Sequence, residues 1–462
     1  MVQHRRALRS IEPGCRRTVR VADHLALLYL VADQFMPRKD SILVSNVIWL
    51  YGLQGLNYVI PAALLPYLVR TLGVEQYGLI AFAQSFAQYF ILATDYGFNF
   101  SATRSIAKSR ENAEQVSQIF WTVMLIKMLL VVLGALILEV FLLNVPPLHQ
   151  NQLVYWAAYG LVVGNAMFPL WLFQGLEQMR SISVLTGVGR LVSAILIVLF
   201  VKTSEDTLLA TGLLSLGFVF AGVFGFVVAL RKHVSGFYLP ARREILVALK
   251  EGRHLFITTG AITLYSNTNT FLVGVIGGIE QAGYFSLADK LIRAISGVIA
   301  PLIQGTYPHV IRLIAQEKQH AIAFIRKAVG VAIVGGVCFG MILSFGARPI
   351  ATLAFSHQAN GAAIRLLQIL ALFPLLASVN YILGVLTLIP FGFDRAQSRL
   401  LLALGVLNVV TGAGLISRYG AVGGVVTMMF TESLQTAGST MILAMGGVSL
   451  FRSPFRQEES RC

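Results

Sequence analysis

IFWTVMLIKMLLVVLGALILEVFL, residues 119–142, has only two charged side chains, Lys127 and Glu139, in a long apolar run. About 20 apolar residues in helical rise cross a hydrocarbon core roughly 30 Å thick, so this stretch reads as a membrane-spanning helix. Similar runs fall near 44–69, 78–100, 152–174, 182–201, 208–230, 255–276, 284–311, 327–346, 362–389, 399–416 and 422–446. A β-barrel is excluded, because its strands are about ten residues long and alternate in polarity. The expectation is an all-α integral membrane protein of about twelve transmembrane helices. Its eighth and tenth spans are long enough to tilt or to protrude. Composition agrees: 56% of residues are hydrophobic and 12% charged, against about 25% charged in ordinary soluble domains. Mean hydropathy is +0.73.

The net charge of +15 raises the question of nucleic acid, but its placement answers it. With the N-terminus on the cytoplasmic side, the cytoplasmic segments hold 27 of the 36 Lys and Arg. The opposite loops hold four (Arg70, Lys202, Arg348 and Arg418), and five lie within spans. That asymmetry is the positive-inside pattern, which puts both termini in the cytoplasm and needs no nucleic acid. Residues 1–40 form a basic extension with Arg5, Arg6, Arg9, Arg16, Arg17 and Arg20. The flanks of Arg16-Arg17 are poor for a twin-arginine signal, and no small-residue cleavage site follows. A disordered extension, or a true start at Met36, is the expectation. Cys15, Cys338 and Cys462 are too few and too scattered for a disulfide framework or a metal site.

The chain carries an internal repeat. GVEQYGLIAFA at 73–83 aligns with GIEQAGYFSLA at 278–288, an offset of 205. After a slip of three residues, YGFNFSATRSIA at 96–107 meets QGTYPHVIRLIA at 304–315. The copies are six spans apart and so have the same orientation. This predicts two pseudo-symmetric six-helix bundles around a central cavity, related by an axis along the membrane normal. The N-terminal bundle takes 41–230 and the C-terminal bundle 255–446. A basic linker at 231–254 lies on the cytoplasmic membrane face, and 447–462 is a cytoplasmic tail.

Residues 49–112, WLYGLQGLNYVIPAALLPYLVRTLGVEQYGLIAFAQSFAQYFILATDYGFNFSATRSIAKSREN, resemble the first half-bundle of bacterial polysaccharide-repeat flippases. These are O-antigen type translocases of the multidrug/oligosaccharidyl-lipid/polysaccharide exporter superfamily. NTNTFLVGVIGGIEQAGYFSLADKLIRAISGVIAPLIQGTYPHVIRL, residues 267–313, resembles the start of their second bundle. The resemblance covers nearly all of 37–446. It implies transfer of undecaprenyl-diphosphate-linked oligosaccharide across a bacterial inner membrane by alternating access, within surface polysaccharide and lipopolysaccharide biosynthesis. It also implies a polysaccharide polymerase and a chain-length regulator as working partners, membrane lipids as surroundings, no cofactor, and a proton or sodium gradient as the candidate energy source.

Ionisable groups inside spans are costly and face a bundle interior or a wet cavity by default. Asp289, Lys290 and Arg293 share one turn of the eighth span. Two readings stand: Lys290 and Arg293 bind a diphosphate, or Asp289 and Arg293 form a structural pair while Lys290 snorkels. Lys127 either lines the cavity or pairs across helices with Asp95. Glu432, near the middle of the twelfth span, is the candidate proton-titrating carboxylate, or else a hydrogen-bonded structural one. Pro61 and Pro66 are expected to break the first span. At the same offset of 205, Pro61 falls on Ser266, beside Asn267 and Asn269 in the seventh, and paired interruptions point to a central site. Asn57, Asn267 and Asn269 either bind sugar hydroxyls or bond across helices.

Enzymatic readings find little support: the chain lacks a GxxxxGK[ST] phosphate loop, an HExxH zinc motif and a GxSxG elbow. A membrane-bound O-antigen polymerase or ligase needs a large periplasmic loop, and the longest here is near 347–361. A cation-coupled multidrug exporter of the same superfamily is the alternative transporter. A translocase of peptidoglycan precursor usually has fourteen spans.

Overall fold

The computed structural model describes residues 59–296, 299–355 and 361–448, and among them every regular element is a helix. The first is α1 (Val59–Leu72). Then follow α2 (Val74–Asp95), α3 (Phe98–Ser109), α4 (Ala113–Asn144), α5 (Gln152–Met167), α6 (Leu170–Gly175), α7 (Met179–Phe200) and α8 (Thr207–Lys232). A second series comprises α9 (Arg242–Ser266), α10 (Thr268–Leu272), α11 (Ile279–Ser296), α12 (Ile299–Gln316) and α13 (Lys318–Phe355). It ends with α14 (Gly361–Ile369), α15 (Phe373–Tyr381), α16 (Asp394–Tyr419) and α17 (Ala421–Met445).

Seven described segments are both long and apolar enough to cross a bilayer, so twelve straight spans is an approximate count. The second expected span is two helices. Tyr96 (φ 42°) and Gly97 (φ 78°) are consecutive left-handed residues that end α2 and turn the chain into α3. Of the eighth, α11 is described to Ser296 and α12 from Ile299. The tenth is one span that changes pitch: α14 passes through a 3-10 turn at Leu370–Leu372 into α15 and then a π segment, Ile382–Leu388. The loop expected near 347–361 is shorter than that, because α13 runs on through Phe355.

α4 shows why such sequences make spanning helices. Asn112 caps it, its side-chain oxygen accepting from the backbone N–H groups of Glu114 and Gln115 at 3.1 Å each. At about 1.5 Å per residue the helix is longer than a bilayer core is thick, so it tilts or protrudes. Leu129, Val132, Leu133, Leu136 and Val140 on one side are exposed, an apolar surface suited to lipid.

The second half repeats the first in order, α11 to α17 following α2 to α8. At the joint the repeat becomes physical. Gly73 (φ 87°, ψ 163°) opens α2 and Gly278 (φ 92°, ψ 167°) opens α11, in a backbone region that is essentially glycine-only. One turn on, a Cβ on Gly78 would lie 2.1 Å from the Ile279 carbonyl oxygen, and one on Gly283 2.4 Å from that of Val74. Val74 and Ile279 are themselves repeat equivalents, so the contact is reciprocal, as a twofold axis requires. The flanking bonds repeat too. Gln76 accepts from the Thr207 hydroxyl at the start of α8, and Gln281 from the Ala421 N–H at the start of α17.

Packing differs between the two ends. At the end away from the basic segments, one hydrophobic core unites both halves, from Leu64, Val74 and Tyr77 to Phe285, Leu367 and Met428. At the basic end the cores are separate: Phe98, Phe120 and Trp171 in the first half, Val310, Ile325 and Leu386 in the second. The first of these extends to the linker. Trp121 donates to the Gly236 carbonyl at 2.8 Å, and Ser235 N–H to Ser117 at 2.9 Å. The later part of the linker, from Arg242, forms the opening turns of α9, which continues unbroken to Ser266.

Candidate functional site

The polar residues inside the bundle fall into four groups. The first is Lys127 on α4, 1% exposed, whose ammonium donates to Asp95 at 2.8 Å. The second Asp95 oxygen accepts from Asn99 at 3.1 Å. Of the two readings of Lys127, the structure makes the interhelical pair with Asp95, and the side chain does not line a cavity.

The second group centres on α11. Arg293 Nε donates to Asp289 at 2.7 Å, one helical turn away, and its Nη2 donates to the Ser266 carbonyl at the end of α9 at 3.0 Å. The guanidinium also lies over the Phe373 ring, 5.6 Å from its centroid. A third of the Arg293 side chain remains accessible (35%), against 15% for Asp289. On the far side, Glu432 of α17 interacts electrostatically with Arg293. Asn380 of α15 donates to the Glu432 carboxylate at 2.6 Å and accepts from Thr436 at 2.7 Å. Tyr265 faces Glu432, yet its buried hydroxyl makes no well-formed hydrogen bond. Four helical segments thus converge on one acid–base cluster, and Asn380, Thr436 and Tyr265 were not foreseen from sequence. A polar Asn in the apolar run at 362–389 was the available signal.

Third, Lys290 leaves this cluster and crosses to the other half. Its ammonium donates to the Tyr77 hydroxyl at 3.0 Å and to Gln84 at 3.2 Å, both on α2. It also sits 5.3 Å from the Tyr77 ring centroid. Both partners are neutral, so its charge is solvated by dipoles alone. By the repeat offset of 205, Asp289, Lys290 and Arg293 correspond to Gln84, Ser85 and Gln88. The first half therefore has no charge at the equivalent positions, and the cationic site is one-sided.

The fourth group is α10 and its neighbours. The break expected in the seventh span is present at Asn267, an exposed turn residue between α9 and α10, followed by a π segment at Val273–Gly277. Asn269 is buried (3%) and accepts from Asn408, which itself accepts from Thr431. Its amide therefore ties α10 to α16 and α17 instead of facing open space. Pro66 does not break the first span: α1 runs through both Pro61 and Pro66 from Val59 to Leu72. Asn57 lies outside the described residues. Along the seam between α2 and α10, Phe271 stacks on Phe82 and Phe86, and Tyr89 donates to Thr268 at 3.0 Å. At the basic end Tyr96 stacks on Phe256 of α9, closing that seam along its length.

Among the described residues, no cluster of three His, Cys, Asp or Glu is placed to hold a metal ion. The arrangement offers instead two cations, Lys290 and Arg293, one helical turn apart where the halves meet, with Asp289 bonded to the Arg293 Nε edge. Such a pair suits an anion with two charged groups.

Comparison with known proteins places the chain in context. The family described as "Polysaccharide biosynthesis protein" matches residues 43–314. A putative O-antigen transporter of Escherichia coli (strain K12) is 31% identical over 392 residues, covering 85% of this chain and 94% of the relative. One from Shigella dysenteriae is 28% identical, covering 84% and 97%. Two solved structures share the fold. The lipid II flippase MurJ in an inward closed conformation superposes with a TM-score of 0.66 at 13% identity, covering 87% of this chain and 88% of that one. The inward-facing conformation of a multidrug resistance MATE family transporter of the MOP superfamily gives 0.64 at 15%, covering 85% and 95%.

Proposed function

The chain belongs to the polysaccharide biosynthesis protein family, and from that footing we propose that it is a flippase for polyprenyl-diphosphate-linked oligosaccharides. The carrying observation is the asymmetry of packing: one shared core at one end of the two halves, two separate cores at the other. In this reading the basic end faces the cytoplasm, since its segments carry 27 of the 36 Lys and Arg. The halves then share one core toward the periplasm, while toward the cytoplasm of the inner membrane they touch along the seam with α9 and their cores stay apart. Both termini lie on the cytoplasmic side.

The chemistry follows from the cluster on α11. A diphosphate entering from the basic end meets Arg293, whose guanidinium is already oriented by Asp289 and the Ser266 carbonyl. Lys290 lies one turn away, held by Tyr77 and Gln84 of the opposite half. An anion that draws Lys290 away removes two bonds that cross between the halves. Binding and opening at the far end would thereby be coupled through a differential contact, as any ligand-driven switch requires. Glu432, anchored by Asn380 and beside Arg293, is the carboxylate through which a proton gradient would act. Lys127 and Asn269 serve the scaffold in this scheme, not the substrate.

A cell that lacks its own repeat-unit flippase provides the test. Supplying this protein should restore surface polysaccharide and clear lipid-linked repeat units from the cytoplasmic leaflet. Drug efflux with no effect on the glycan would overturn the reading in favour of multidrug export.

A further inference from the structure

The opening turns of α9 present two different faces. Ile245, Ala248 and Leu249 pack against the core of the first half, and Gly252 is buried against Tyr96. The other face carries Arg242, Arg243, Leu246, Val247 and Lys250, all exposed, which line a shallow groove of about 440 Å³. At 3.6 residues per turn these five side chains fall within an arc of about 140°. Arg253 and Ile257, both exposed, continue the same stripe toward the apolar part of the helix.

The carboxylates of this helix stand off the stripe. Glu244 is engaged by the Tyr238 hydroxyl at 2.7 Å and by the Ala241 N–H at 2.7 Å, folding it back against the linker. Among the described residues, no ion pair involves Arg242, Arg243 or Lys250. A second feature stands beside them. Phe237 and Leu239, in the linker just before α9, are 75% and 73% exposed. Both precede Pro240. Cations beside exposed apolar side chains match a membrane surface, with phosphate on the outside and acyl chains beneath.

We propose that this face of α9 is a binding site for anionic phospholipid headgroups, with Arg242, Arg243 and Lys250 receiving the phosphates and Phe237 and Leu239 entering the interface. Leu246 and Val247 form the floor against the upper acyl chain. Occupancy seats the start of the seventh span at the bilayer surface. This site is separate from the Arg293 cluster and does not depend on what the protein transports.

Lipid retention by the full-length protein in detergent, read by native mass spectrometry, tests it. The wild type should keep phosphatidylglycerol at least about fivefold more than phosphatidylcholine. The R242Q/R243Q/K250Q variant should keep the two equally, while an R395Q/R399Q control, also exposed and basic, behaves as the wild type. All five positions are exposed, so an unchanged gel-filtration profile is expected of both variants. An undiminished preference in the triple variant overturns the proposal, as does an equal loss in the control. Displacement of phosphatidylglycerol by equimolar undecaprenyl diphosphate overturns it too, by reassigning the site to the substrate.

Discussion

Lys127 is a full charge 1% exposed in the middle of an apolar span, and it is tolerable there because Asp95 lies 2.8 Å away. Removing one member of a buried pair leaves the other uncompensated, a loss on the order of 3 kcal/mol. Asp95→Asn or Lys127→Met alone should therefore lower the melting temperature in detergent markedly, and the double variant should recover most of it. A double variant no better than the singles would show that the pair is not what matters. Arg293 predicts a different pattern, because it is a third exposed and held by neutral as well as charged partners. Arg293→Glu should abolish export while protein level and insertion stay near wild type; normal surface polysaccharide would remove it from the site. Sequence alone could place Lys127, Asp289, Lys290, Arg293 and Glu432 inside spans, since charge in an apolar run is visible. It could not choose their partners, because Tyr77, Gln84 and Asn380 come from helices far away in the chain.

At the scale of elements, the repeat motif turned out to be the joint itself. Its glycines are where α2 and α11 touch, with backbone close enough that any side chain would collide. Gly283→Leu should push the two helices apart, so a cysteine near Gln281 should become more reactive to a membrane-impermeant thiol reagent. Unchanged reactivity would show that this contact does not close the far end. The helix breaks were only partly legible. Asn267 interrupts the seventh span as paired prolines and asparagines suggested, yet Pro66 sits within a continuous α1. Proline in a membrane helix can be accommodated by neighbours and local adjustment. The break at Tyr96 left no proline to announce it. It arises from two consecutive left-handed residues, which hydropathy does not register.

For the whole molecule, the claim is that two similar halves exchange the end at which they are joined while an oligosaccharide lipid passes between them. The duplicated order of helices was readable from the 205-residue offset. The conformation was not, because sequence tells the two ends apart by charge but only packing shows at which of them the halves are joined. Val74 and Ile279 flank the Gly78–Gly283 contact from opposite halves, which makes the joint possible to lock without touching the cationic site. With Cys15, Cys338 and Cys462 replaced by serine, Val74→Cys and Ile279→Cys can be bridged by a short, reducible dithiol-reactive linker. The decisive measurement is transbilayer movement of a lipid-linked oligosaccharide by this protein in reconstituted vesicles, before bridging, after it, and after reduction. The account predicts transport that stops when the halves are bridged and returns when the bridge is reduced. Undiminished transport by the fully bridged protein would contradict it.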